Sequence, residues 1–362
     1  MSALHLAPAG IARAAAPQPS PAVKKKPFDH AKLARAAVER HIRPSYRALA
    51  QAMRSLVTVT DAYCADPTPT GFRALRRAFA DAVRARAQIE HIGFGAMNEN
   101  NRADRFAYWP DRRGLGRRQV RRALARKKPG IDDPRRLAGM SVALQGLTAM
   151  EVVLHAKVAR DNTTGRLTNT ACAYAKAIAR NLSTMAANVR DAWEDKSGIA
   201  AQLLAPGPDQ PVWRTAEEAT LELMQTYVMG MAAARDFKIE GPLGGEAGAR
   251  GVTAEYRASK LGRVALRSAL EGLQAFYVSG GFRAALGRHA PARQRQTDQG
   301  FAAAFRELDQ VSQPIALAVE DDDDIERLIN ISLAISAARS GVSKGITEAA
   351  DLFIGFNAAD GD

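Results

Sequence analysis

From residue 30 onward this chain repeats its apolar residues at steps of three and four, and no run alternates apolar and polar side chains as a half-buried strand does. Helix packed on helix is the layer architecture left open to such a sequence. Composition agrees, because aromatic residues make up only 6% while Ala, Leu and Arg are abundant, a mix that favours helix over sheet. With 362 residues there is room for two domains, each with its own core. The fold class read from the sequence is therefore all-α, as two stacked helical bundles.

Residues 1–27 read as a disordered N-terminal segment, residues 28–204 as an N-terminal bundle and residues 212–362 as a C-terminal bundle. The Pro- and Gly-rich stretch 204–211 is the linker between them. Helices are expected over 28–63 with a kink or split at Pro44, from the turn at 66–70 to about 92, over 141–156, and from the turn at 162–165 to about 195. In the second half they are expected near 214–236, 253–279, 296–318, 322–340 and 343–353. No stretch approaches the roughly 20 apolar residues of a membrane span, so the sequence reads as a soluble chain without a transmembrane segment.

The segment 141–156 carries one carboxylate, Glu151, among alkyl side chains. Helical stepping puts Leu144, Leu147, Thr148, Glu151, Leu154, His155 and Val158 on one face, and the opposite face of Ala149, Val152 and Val153 is apolar too. An ionised carboxylate there costs several kcal/mol unless a cation or several donors meet it. The loop 90–111 packs titratable groups, amides and arginines after a helix, and such loops are often functional. Within it Arg102 or Arg105 is the expected cation for Glu151.

Other chemistries find less support. The six histidines form no HExxH pair, so a zinc protease of that type is disfavoured. Glu151 and His155, four apart, either share a metal or form a hydrogen-bonded core pair. No G-x-S-x-G elbow is present. The glycine-rich loop 241–251 lacks the Gly-Lys-Ser/Thr of a phosphate cradle, and the acidic run 320–324 suits a helix N-terminus rather than an EF-hand. The formal net charge of +13 concentrates in 112–128, with a second cluster at 24–26. Nucleic-acid or polyanion binding is the sharp reading of that patch, but no aromatic residues interleave its arginines, and a solvated Arg-rich helix is the preferred one. Ala14 and Ala16 fit a signal-peptidase site; without a basic n-region and a full apolar core, a signal peptide is either truncated or not there. Cys64 and Cys172 are either a disulfide between helices or two buried thiols.

Four segments together resemble the imelysin-like family of bacterial exported proteins. They are Ile89 to Gly95 leading through Asn101-Arg102 to the run from Phe106 to Asp111, then Gly146-Leu-Thr-Ala-Met-Glu151, then Glu255-Tyr-Arg257-Ala-Ser259 at an expected helix start, and the terminus 352–362 with Asp360. The resemblance covers residue 30 to the end. It implies two similar helical bundles from an old duplication, a site at their interface, a periplasmic or outer-membrane location, and partners among the iron-uptake components of the cell envelope. It also favours a Cys64–Cys172 disulfide. The family's signature is Gly-x-His-x-x-Glu, a proposed metal motif linked to a reported peptidase activity. Here Gly146 and Glu151 match it and Thr148 takes the histidine position, which removes the best ligand.

In this respect the chain is similar to a branch of predicted lipoproteins, although it has no lipobox cysteine near its start. The expectation is thus a periplasmic protein connected with iron acquisition, binding a divalent metal, iron or another ligand between two bundles and not acting as an enzyme. A metallopeptidase and a polyanion binder are the alternatives. Glu151 is the buried anion, Thr148 a hydroxyl donor, and Trp109 and Asp111 the pocket walls. Glu90, His91 and Asp360 are secondary candidates.

Overall fold

The structure, a computed structural model, describes residues 27–111, 113–245 and 248–352. The first helix, α1 (His30–Ala37), opens on Asp29, whose carboxylate accepts from the Lys32 N–H at 2.9 Å. A π-helical turn over Val38–Ile42 carries it into α2 (Arg43–Ala65), and Pro44, which has no N–H to donate, lies directly after that turn. The expected break at Pro44 is thereby absorbed as a bulge in one long rod. Thr68 caps α3 (Pro69–Ala87). Shorter helices follow, α4 (Arg102–Phe106), α5 (Leu115–Ala125), α6 (Pro134–Ala138) and α7 (Gly146–His155), before the long α8 (Asn169–Glu194) and α9 (Ile199–Leu204).

Beyond the coil at 205–215 come α10 (Ala216–Arg235), a π-helical turn over Asp236–Glu240, α11 (Gly241–Leu243) and α12 (Gly262–Val278). Then α13 (Phe282–His289), α14 (Pro291–Gln310), α15 (Ile315–Ala318) and α16 (Asp322–Ala350) complete the chain. Among the described residues the one extended pairing is an isolated bridge between Arg160 and Leu167, so the fold is all-α. No helix among them is long and apolar enough to cross a membrane.

Helices α2, α3 and α8 pack together in the first half with α7 laid on α8; α14 lies along α16 in the second, with α10, α12 and α13 around them. The halves meet where α12 crosses α3 and where α1 docks on α10. There His30 Nδ1 lies 2.8 Å from Thr220 Oγ1, and the Phe28 ring sits 5.6 Å from that of His289. The first helix is thus seated on the second half of the chain. Buried side chains from both halves form one continuous apolar cluster.

Three sequence expectations are corrected. Val158 is 42% exposed rather than on the buried face, because α7 ends at His155. The stretch 343–353 is not a separate helix; α16 runs unbroken through Gly341 and Gly345, whose missing side chains let α14 and α13 approach at Thr297, Arg293 and Leu286. The helix expected from 253 begins only at Gly262, and residues 254–261 turn instead, with Tyr256 and Lys260 at φ 48° and 62°. The acidic run behaves as expected. Asp321 caps α16, and buried Asp324 accepts from the N–H groups of Ser312 and Gln313, which hold its carboxyl below the usual range against the effect of burial.

Cys64 of α2 and Cys172 of α8 form a disulfide with their Cα atoms 5.7 Å apart, closing a loop of 108 positions. Loop-closure entropy assigns a cross-link of that span about 4–5 kcal/mol at most. Reduction, or the double change Cys64→Ala with Cys172→Ala, is therefore expected to lower the urea midpoint clearly. A midpoint that does not move with reductant would show that the bridge contributes nothing to stability.

Candidate functional site

Helix α7 starts abruptly, and its start is built for a close approach. Gly146 has φ +77°, and a Cβ there would lie 2.5 Å from both the Arg105 and Phe106 carbonyl oxygens of α4. The preceding Gln145 is fully buried; its Oε1 accepts from Arg105 Nε at 3.1 Å and from Asn181 Nδ2 at 2.9 Å, and its Nε2 donates to the Met140 carbonyl at 2.8 Å. Arg105 is thus engaged in pinning the N-terminus of α7. Arg102 donates to the Ala96 carbonyl and pairs with Glu99 at 3.4 Å. Neither arginine meets Glu151, which corrects the expectation drawn from the sequence.

The partner comes from the far half of the chain. Glu151, only 6% exposed, accepts from the Ser259 N–H at 2.8 Å and from the Ser259 hydroxyl at 2.7 Å, both on Oε1. The turn over 254–261 places both donors on this seam. Burial lifts the Glu151 carboxyl above its ordinary range; the Ser259 donors and, at longer range, Arg117 pull it back only in part. A raised acid favours the fold in its protonated form, so its contribution is full below about 4.5 and is lost as pH climbs through the folded value. Glu151→Gln should therefore gain on the parent in stability as pH rises from that point, whereas Glu151→Ala, which strands the Ser259 N–H, should cost about 1–3 kcal/mol. Denaturation across pH checks this, and a pH-independent difference for Glu151→Gln would remove the buried acid.

Glu151 lines a cavity of about 40 Å³ on the same seam, with Thr148, Tyr108, Trp109, Asp111, Gly116 and Arg117 from the first half and Val252 to Ala254, Tyr256 and Arg257 from the second. Thr148 Oγ1 accepts from the Tyr108 N–H at 3.2 Å, which fixes the chain entering the pocket wall. Trp109 Nε1 donates to the Thr253 carbonyl at 3.3 Å, tying that wall to the second half. Asp111 Oδ2 accepts from the Arg117 N–H at 3.2 Å, satisfying a free donor at the start of α5. Thr148, Trp109 and Asp111 thus share the cavity with Glu151.

Behind Trp109 lies a buried set of charges. Lys238 Nζ sits 2.5 Å from Glu255 Oε2, 3.1 Å from Glu90 Oε1 and 5.4 Å from the centre of the Trp109 ring. Burial works against the Lys238 charge, but Glu255 and Glu90 outweigh it and raise its pKa above the ordinary lysine value. Arg86 is buried nearby, with Nε and Nη1 lacking a hydrogen-bond partner among the described residues. Glu90 therefore belongs to an ion cluster joining the halves rather than to the cavity. His91 also turns away: its Nε2 lies 3.0 Å from His41 Nε2, and both rings pack on Phe276. Burial lowers His41 to about 4, and burial together with His41 and Arg86 holds His91 well below the usual imidazole range, so both rings favour the neutral form.

His155 lies outside the cavity as well, lining a separate groove with Arg73, Arg76 and Arg77, and burial holds it down to about 4. The two side chains that the sequence placed on one helix face thus line different pockets. Asp360 lies outside the described residues. Ser259, Tyr256, Arg117, Arg257, Lys238 and Glu255 were not singled out as site residues. The motif from Glu255 to Ser259 was the available signal for four of them. Among the described residues no group of three or more His, Cys, Asp and Glu is placed to hold a metal ion. The cavity's donors, two carboxylates already accepting N–H bonds and a threonine beside Arg117, do not fit a resident transition metal.

A helical fold whose halves close over a buried carboxylate defines the class. The family model of imelysin (peptidase M75) matches residues 42–340, and the chain belongs to that family. Two solved structures share the fold. An imelysin-like protein from Psychrobacter arcticum aligns with TM-score 0.75 and 18% identity, covering 91% of this chain and 100% of that one. A candidate iron-regulated protein A precursor from Parabacteroides distasonis aligns with TM-score 0.76 and 13% identity, covering 91% and 98%. No curated protein matches the sequence.

Proposed function

We propose that this protein is an exported, non-catalytic member of the imelysin family that binds a ligand at the seam between its helical halves and serves iron acquisition together with other iron-uptake components of the envelope. The observation that carries the reading is the Glu151–Ser259 contact, which brings a buried acid and the walls of one cavity together from both halves. Binding there is coupled to the packing of the halves, as in many ligand sites at domain boundaries. A neighbouring fold described as a candidate iron-regulated protein A precursor supports the link to iron and to export. The Cys64–Cys172 bridge supports an oxidising compartment such as the periplasm.

Peptidase chemistry needs three side chains around a metal-bound water, and Thr148 stands where the family motif has its histidine. A ligand other than a resident metal is the better fit to this donor set. Native mass spectrometry and elemental analysis of protein purified without a histidine tag test the binding reading. A bound small molecule with less than stoichiometric metal is expected. Stoichiometric metal with chelator-sensitive proteolysis would replace it with the peptidase reading. Deleting the gene should slow growth only under iron limitation, and equal growth there would sever the link to iron.

A further inference from the structure

The cavity at Glu151 adjoins a wider space of about 410 Å³ lined by Arg113, Arg117, Arg118, Arg121 and Arg257, and the two share Asp111, Arg117, Val252 and Arg257. These shared walls make the outer space the natural vestibule of the inner one. Four of its arginines come from α5 and the turn before it, and Arg257 comes from the turn that carries Ser259. Among the described residues none of the five forms a salt bridge, although ion pairs are common elsewhere in the chain. Asp111, the one carboxylate in the vestibule, has its Oδ2 on the Arg117 N–H.

Five guanidinium groups around one opening repel each other, and water screens that cost only where the opening stays wet. A guest with two or more oxyanion groups removes the repulsion and matches the fork geometry of arginine. The inner end imposes the opposite demand. With Glu151 there and only about 40 Å³ of space, it admits a tip of one or two heavy atoms, and that tip must be neutral and able to donate a hydrogen bond to the carboxylate.

We infer that the ligand is a small hydroxylated oxyanion, its carboxylate or phosphate groups held by Arg117, Arg257 and the outer arginines and its hydroxyl turned inward to Glu151. This deepens the proposed seam-binding function and rests on it. Long polyanions are a poorer guest, because the acid at the end of the funnel and the two-sided walls select for something that enters it.

Calorimetry and thermal melting with citrate, with tricarballylate, which is the same tricarboxylate without the hydroxyl, and with inorganic phosphate test the inference. Citrate or phosphate should bind and raise the melting temperature, and the gain should fall with added salt. Arg117→Gln with Arg257→Gln should weaken binding about tenfold or more while leaving the unliganded melt close to the parent's. If citrate is the better guest, it should exceed tricarballylate in the parent and lose that advantage in Glu151→Ala; phosphate binding without citrate would assign the oxyanion to the phosphate class.

Absence of binding by both citrate and phosphate, or binding that ignores the arginine changes, overturns the inference. Protection by neutral glycerol or by ferric ion alone, lost in Glu151→Ala, would also overturn it while leaving the seam as a binding site. Tight binding of duplex DNA that needs the arginines but not Glu151 would make the vestibule a polyanion surface and remove both.

Discussion

Replacing Gly146 by alanine is expected to cost this protein more than about 3 kcal/mol and to leave little folded material at physiological temperature. The left-handed backbone at φ +77° costs an L-residue roughly 1–2 kcal/mol by itself. The added methyl would press on the Arg105 and Phe106 carbonyl oxygens, both rigid backbone. It can be relieved only by moving α4 off α7, which breaks the Arg105–Gln145–Asn181 bonds and a wall of the cavity. The measurement is a denaturant melt beside that of Gly207→Ala, where nothing lies within 4 Å. Equal midpoints would mean that the first position of the family motif is retained for something other than this approach.

The second large effect is expected at Lys238. Lys238→Met keeps the buried stem but removes the cation paired with both Glu90 and Glu255, leaving them only the longer-range charge of Arg86, and breaking such a pair costs about 3–5 kcal/mol. Burial already lifts the Glu255 carboxyl, so the variant should answer by protonating it and become more stable as pH falls. Adding Glu255→Gln should recover much of the loss by removing the stranded charge. Melts of the single and double variants across pH settle the matter. No recovery in the double variant would mean that the cluster holds the halves by shape rather than by charge.

The helices were largely legible because each needs only its own periodicity and caps, as Thr68 before α3 and Asp321 before α16 illustrate. The burial of Glu151 was legible for the same reason, since a helix apolar on every side has no wet face. Its partner was not. Ser259 lies 108 positions away, and arginines in a nearer polar loop offered a simpler answer that the packing of α4 had already used. The turn over 254–261 was misread as helix because its residues tolerate helix; long-range bonds to Glu151 and Lys238 decide its shape. The stretch at Gly341 was misread as a break between two helices, although glycine inside a long helix also serves close packing. Four cavity residues, Glu151, Thr148, Trp109 and Asp111, were named from sequence, whereas the arginines of the vestibule were seen only as an unplaced excess of charge.

The seat of α1 on α10 bears on how the polypeptide matures. His30 and its contact Thr220 are separated by 190 positions, so when the first helix leaves the ribosome its docking surface has not been synthesised. The opening segment must wait for its seat until α10 is made. A contact of this kind can close only late in synthesis. It also makes the ordering of α1 a marker for the moment at which the molecule becomes whole.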